Sequence, residues 1–227
     1  MIDLYFWRTP NGQKIAIALE ELELPYQVMP VNIGRGDQFR PEFLAISPNN
    51  RIPAIVDREP KGGGDPISVF ESGAILLYLA DQTGRLIPAD LRGRTETIQW
   101  LIWQVAGVGP MFGQANHFVR YAREQIPYAI ERYVKESKRL LGVMDRRLAD
   151  REFLTGAYSV ADIACFPWVL SAFERYGIES SDHPNVTRWV ETIRARPAVV
   201  RGLAVGKELR IQAMDAEARK HLFGEQP

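Results

Sequence analysis

The sequence predicts two domains, an α+β domain followed by an all-helical one, on three observations. Apolar runs of strand length are confined to roughly the first 70 residues, they alternate there with helical stripes, and beyond Leu91 strand signals almost vanish. The chain has 227 residues, 46% of them hydrophobic, which is enough to build more than one packed core.

Ile2 to Phe6 is a short apolar run suited to a buried strand, followed by the loop Trp7-Arg8-Thr9-Pro10-Asn11-Gly12. Ile15, Ala18, Leu19 and Leu22 then recur at helical spacing, with Lys14, Glu20, Glu21 and Glu23 off that stripe. Pro25 closes the helix, and Tyr26 to Ile33 reads as a second strand. Gln38 to Ile46 predicts a helical turn under a loop. The stretch from Asn49 to Asp57 ends in a strand with Pro53 at its mouth, since proline inside a central strand would delete a ladder hydrogen bond. The turn cluster from Glu59 to Pro66 joins it to Ile67–Phe70 as a hairpin. Glu71-Ser72-Gly73 opens a helix carrying Ile75, Leu76 and Leu79. The resulting order, β-α-β-α-β-β-α, is that of a thioredoxin-like domain over residues 1–87.

Residues 92–207 are expected to form the helical domain. Ile98, Leu101, Ile102 and Val105 mark one helix, with a kink or break expected at Gly107-Val108-Gly109-Pro110. Pro127 starts another, with Ile130, Val134, Leu141, Met144 and Leu148 on one face. Ser159-Val160-Ala161-Asp162 resembles a helix-starting cap, and the helix it opens is apolar enough to be central. Pro184 and Pro197 open the last two helices, and 208–227 reads as a polar tail, disordered or loosely helical.

Composition excludes several function classes. Lys plus Arg and Asp plus Glu are 28 each, so no global charge favours nucleic acid or an anionic membrane. No stretch reaches 18 apolar residues and the first residues lack a leader pattern, so the expectation is a soluble cytoplasmic protein. Cys165 is the single cysteine, which excludes an internal disulfide or a Cys-x-x-Cys pair; it sits in the most apolar helix and reads as core. Any thiol chemistry must be carried by a cofactor or substrate. His117, His183 and His221 are scattered without ligand spacing, so no metal is expected, and Gly62-Gly63-Gly64 lacks the residues of a phosphate loop.

Pro53 leaves two readings open. The Ile52-Pro53 bond is either cis, aiming the Ile52 N–H and C=O out of the sheet edge toward a peptide-like ligand, or an ordinary strand start after a turn.

Over nearly its whole length the chain resembles the cytosolic glutathione transferases, in domain order, in Ile52-Pro53, in Glu71-Ser72-Gly73 and in the Ser159-to-Asp162 box. Thr9-Pro10-Asn11-Gly12-Gln13-Lys14, Gln38-Phe39-Arg40-Pro41-Glu42-Phe43, Ser47-Pro48-Asn49-Asn50 and the stretch from Pro127 to Tyr133 resemble more narrowly the Nu-class bacterial disulfide-bond oxidoreductases. The resemblance implies a homodimer that binds two glutathiones, or one glutathione disulfide, per subunit and reduces small or peptide disulfides without a protein cysteine. It implies that Thr9 and Asn11 donate hydrogen bonds to the thiolate. The glutathione contacts it implies are the Ile52 backbone to the cysteinyl unit, Glu71 and Ser72 to the γ-glutamyl end, Gln38 and Arg51 to the glycyl carboxylate, and Arg132 to a second ligand. Family members tend to carry lysine at the position of Arg51, which keeps charge but changes geometry. These residues also have plainer readings: helix capping for Thr9, Asn11, Glu71 and Ser72, and solvation for Arg132, Gln38 and Arg51. Tyr5, the rival thiol partner, falls inside the first strand and reads as core. Trp100, Trp103, Phe112 and Phe118 read as lining for an electrophile or as ordinary core. The competing functions are conjugation of glutathione to electrophiles, peroxide reduction, and non-enzymatic glutathione binding in a regulatory protein.

Overall fold

The computed structural model describes residues 1–209 and 214–224. By packing, the chain forms two units. One comprises Met1–Thr83 together with the chain from Ala198 onward, and the other is Gly84–Pro197.

The first unit is thioredoxin-like. Strand β1 (Ile2–Phe6) leads into helix α1 (Pro10–Leu22), then β2 (Tyr26–Pro30), a 3-10 turn at Asp37–Phe39, the single-turn α2 (Pro41–Leu44), β3 (Ala54–Asp57), β4 (Ile67–Phe70) and α3 (Ser72–Thr83). The sheet order is β2-β1-β3-β4, with β1 and β2 parallel and the other neighbours antiparallel. Leu4, Phe6 and Ile55 are fully buried in it, and Ile15, Leu19, Ile75, Leu76 and Leu79 cover it from α1 and α3. The expected second strand is three residues shorter than its apolar run, because pairing with β1 ends at Phe6 opposite Pro30.

The second unit is helical: α4 (Leu91–Trp103), α5 (Gly109–Asn116), α6 (Pro127–Arg147), α7 (Val160–Arg175) and α8 (Pro184–Arg194). Near Gly107–Pro110, where a kink or break is expected, the α-helical regularity is interrupted without the chain leaving the helix. A π-helical turn over Gln104–Val108 carries the chain directly into α5, and the change of hydrogen-bond pattern falls just before Pro110, which has no N–H to donate. Helix α7 is central, with Ile163, Ala164, Cys165 and Phe166 fully buried. The Ser159-to-Asp162 box forms as a true capping box: Asp162 accepts from Ser159 N at 3.1 Å, and Ser159 Oγ accepts from Ala161 N at 3.3 Å. Asp162 also accepts from Leu154 N at 3.0 Å and Trp189 Nε1 at 2.9 Å. Burial pushes its carboxyl up to about 6 against the pull of these donors.

The packing division differs from the expected boundaries at the C-terminal end. Helix α9 (Pro197–Ala204) lays Gly202 against Ile17 of α1, so closely that a Cβ there would stand 2.7 Å from the Ile17 Cα. Beyond it, the polar segment read as a tail contains α10 (Ala216–Phe223). Arg35 pairs with Asp215 at 2.9 Å and with Glu217 at 2.5 Å, tying α10 to the first unit. Residues 210–213 and 225–227 of that segment lie outside the described ones.

Candidate glutathione site

In the first unit the sheet topology gathers four chain segments at one end. The C-terminal end of β1 lies beside the start of β3, and Ala54 pairs both with Tyr5 and with Phe70 at the end of β4. Because β2 runs parallel to β1, the segment holding Gln38 leaves from the same end. The loop before α1, the Ile52-Pro53 corner and the Glu71-Ser72 junction therefore share one sheet edge, where α1 and α3 also begin.

Thr9 is extended (φ −129°, ψ 164°), as expected before proline, and is the N-cap of α1. Its Oγ1 accepts from the Gly12 N–H at 3.2 Å. A hydroxyl has one hydrogen to donate and two lone pairs, so the cap occupies one lone pair and leaves the hydrogen for a ligand. The capping role is thus held by Thr9, and Asn11 occupies the first turn of the helix. Gly12 is required here, because a Cβ would come within 2.4 Å of the Trp7 carbonyl oxygen.

Ile52-Pro53 is cis, and Pro53 immediately precedes β3. No hydrogen bond engages the Ile52 main chain among the described residues. Its side chain packs with Tyr5 and Ile46 onto Val31, Phe43 and Ala54. Ser47 Oγ donates to the Arg51 carbonyl at 2.9 Å, which braces the loop, while the Arg51 side chain is exposed. Tyr5 is half-buried, its ring centroid 6.0 Å from that of Phe43; burial, then the charge of Asp3, raises its hydroxyl further above the ordinary tyrosine range.

At the β4–α3 junction Glu71 has φ 68°, a left-handed conformation that costs a non-glycine residue on the order of 1 kcal/mol or more. Neither candidate side chain caps α3. Glu71 Oε1 accepts from Asn49 Nδ2 at 3.3 Å, and Ser72 Oγ accepts from Lys14 Nζ at 3.2 Å. The N–H groups of the first turn of α3 are therefore left without a side-chain cap among the described residues, a ready site for a carboxylate.

Two positions depart from expectation. Gln38, expected to reach the glycyl carboxylate, lies in the 3-10 turn and is only 2% exposed; its Nε2 donates to the carbonyls of Ile33 at 3.2 Å and His221 at 3.4 Å. Its amide nitrogen is thus engaged with the main chain, while Oε1 is buried without a partner among the described residues. Lys14, read as lying off the apolar stripe, is also 2% exposed. It stands three and four residues before the buried Ile17 and Ala18, a spacing that places it on their face.

Arg132 belongs to the second unit, exposed on α6, where it lines a cavity of about 630 Å³ with Met111, Tyr128, Tyr133, Glu136 and Arg139. Arg139 pairs with Glu136 and holds its carboxyl below the ordinary range. No carboxylate lies within ion-pair distance of Arg132 among the described residues. Phe112 is fully buried core, Phe118 stacks on Tyr133 at 5.4 Å, and Trp100 meets Trp103 edge-on at 5.1 Å. Among the described residues no cluster of metal-ligating side chains occurs, and no helix is long and apolar enough to cross a membrane.

The glutathione S-transferase N-terminal domain model matches residues 1–81, and the glutathione S-transferase C-terminal domain model matches residues 114–197. The chain is 56% identical over 204 residues to the disulfide-bond oxidoreductase YfcG of Escherichia coli (strain K12), covering 89% of this chain and 94% of the relative. A glutathione transferase from Burkholderia graminis, solved with two glutathione molecules bound per subunit, superposes with a TM-score of 0.86 at 49% identity, covering 91% of this chain and 88% of that one. A second, from Pseudomonas putida, solved with one glutathione disulfide per subunit, superposes with a TM-score of 0.85 at 45% identity over 90% of this chain and 91% of the other. With both domain models matched, and with an uncapped α3 and an unpaired Ile52 at one sheet edge, the chain belongs to the glutathione S-transferase family.

Proposed function

We propose that the protein is a glutathione-dependent disulfide-bond oxidoreductase. The observation that carries the reading is the open N-terminus of α3 beside the unpaired Ile52 main chain, which suits a short peptide bearing a free α-carboxylate and ammonium. The α3 N–H groups and Ser72 take the γ-glutamyl carboxylate, Glu71 its ammonium, and Ile52 pairs with the cysteinyl unit. Arg51 takes the glycyl carboxylate. Thr9 and Asn11 hold the thiolate, Thr9 through the hydrogen its capping bond leaves available. Gln38 serves this site from behind, by fixing the segment around it.

The bound thiolate attacks one sulfur of the substrate disulfide and expels the other as a thiolate. A second glutathione thiolate then attacks the glutathione sulfur of the mixed disulfide, releasing glutathione disulfide and the second substrate thiolate. Each displaced thiolate takes up the proton lost from one glutathione. No protein sulfur is needed, in keeping with a single cysteine, Cys165, that is fully buried. Arg132, an exposed cation on the wall of the α6 cavity, is assigned to the second glutathione. The names of the relatives support this reaction, and the ligands of the solved neighbours support two glutathiones or one disulfide per subunit. We further assign the protein to the cytoplasm as a homodimer.

The test is turnover of 2-hydroxyethyl disulfide with glutathione, set against conjugation of glutathione to a chloronitrobenzene. Faster conjugation than disulfide reduction would overturn the assignment in favour of a conjugating transferase.

A further inference from the structure

Lys14 is almost wholly buried, yet it projects from a helix whose neighbouring buried positions are Ile15, Ala16, Ile17 and Ala18. Removing an ammonium from water is costly, and an apolar side chain of similar length would join α1 to α3 without that cost. Among its partners is the Ser72 hydroxyl, at 3.2 Å and itself buried, in the first turn of the uncapped α3. The lone pair that accepts from Lys14 turns the hydroxyl hydrogen away from the lysine. A donor bonded to that oxygen also polarises the hydroxyl and strengthens the bond it donates onward.

We propose that Lys14 is a positioning residue for an α-carboxylate bound at the start of α3, acting through Ser72, and that it sets the preference of this end of the site for a γ-glutamyl group. The proposal rests on the glutathione-binding reading above. In its ammonium form Lys14 places positive charge behind a helix end whose own partial charge is about half a unit. A ligand carboxylate one hydrogen bond beyond the hydroxyl would lie roughly 6 Å from the ammonium. At an effective dielectric of about 20 that separation corresponds to on the order of 100-fold in affinity, and to about tenfold after partial screening.

The experiment is calorimetric titration of the full-length protein with glutathione and with 4-aminobutanoyl-cysteinyl-glycine, which lacks the α-carboxylate but keeps the rest of the peptide. Lys14→Met is expected to weaken glutathione about tenfold to 100-fold and to leave the analogue within about twofold, cutting the discrimination between them by about the same factor. In a Ser72→Ala background the same substitution is expected to cost less than it does in the wild-type background, because the share relayed by the hydroxyl is gone and only the through-space attraction remains. Lys14→Gln, which keeps a donor without the charge, is expected to lose most of the discrimination; it decides the question if the methionine variant does not fold. Glutathione affinity unchanged in either folded variant overturns the proposal, as does an equal loss for both ligands, which would mark a purely structural lysine. Wild-type protein that binds neither ligand would overturn the glutathione reading itself, an outcome distinct from both.

Discussion

Thr9 is given two jobs, capping α1 and donating to the thiolate, and substitutions at this position separate them. Thr9→Ala removes both. Loss of the cap costs about 1 kcal/mol, a fall in melting temperature of about 2–4 °C for a protein of this size. Loss of a hydrogen bond to a charged sulfur is worth about 1.5–3 kcal/mol, or about one to two pKa units. If the bound thiol titrates near about 6.5 rather than about 8.5, a two-unit rise lowers its thiolate fraction at pH 7 from roughly 75% to roughly 3%. With a Brønsted coefficient of about 0.4–0.5 the less stabilised thiolate is about six- to tenfold more nucleophilic, so the net loss at pH 7 is only about threefold. Above about pH 9 both thiols are ionised and the order should invert, the alanine variant becoming the faster by several-fold. Thr9→Asp keeps a good cap, removes the donor and sets a carboxylate beside the sulfur. It should therefore melt like wild type and shift the pH profile further than alanine does, whereas Thr9→Ser should restore both properties. The assay is the pH dependence of 2-hydroxyethyl disulfide reduction at saturating glutathione, beside thermal melts and ultraviolet titration of the bound thiolate. A Thr9→Asp profile that coincides with wild type, or pH curves for wild type and Thr9→Ala that never cross, would refute the reasoning.

Glu71→Gly relieves the left-handed backbone at φ 68° and should hold or raise stability by up to about 1 kcal/mol while weakening glutathione at least tenfold; denaturant melts and calorimetry read the two effects separately. Asp162→Ala leaves the buried donors Leu154 N, Ser159 N and Trp189 Nε1 without their acceptor and should cost about 3–5 kcal/mol in urea unfolding. Because burial raises the folded pKa of Asp162 to about 6, its contribution is fully present below the unfolded value near 3.9 and is lost as pH rises through 6. Wild type should therefore gain about 2 kcal/mol relative to Asp162→Asn between pH 7 and pH 4, and a pH-independent difference would contradict this. Arg132→Ala should weaken the second glutathione more than the first, seen as loss of one calorimetric phase. Cys165→Ala should cost stability through packing alone and leave disulfide reduction within about twofold of wild type; lost turnover in a folded variant would show that the reacting sulfur is the protein's own.

Local signals carried far in this chain. Proline at the mouth of an apolar run located the start of β3, and the Ser159-to-Asp162 spacing located the start of α7, because both depend on bonds made within a few residues. The candidate site was legible to the same depth: Thr9 before Pro10 and Glu71-Ser72 ahead of a helical stripe each mark a helix start. What could not be read was which of these residues cap and which remain open. Thr9 caps α1, but Ser72 is turned to Lys14 and Glu71 to Asn49, partners that lie 58 and 22 residues away.

The order of strands and helices in the first unit and the starts of α1, α3, α6, α7, α8 and α9 were written in the sequence itself, since each follows from nearest-neighbour chemistry. Tertiary structure alone decided that α1 is covered on more than one side, which buries Lys14 and Glu21 on a helix whose periodicity reports a single apolar stripe. It also decided that α9 and α10 pack with the first unit and that the Gln38 amide turns inward to them. A residue's spacing reveals the face its own helix offers, whereas the remaining faces are claimed by segments from 58 to nearly 200 positions away, and no local pattern encodes which segment arrives.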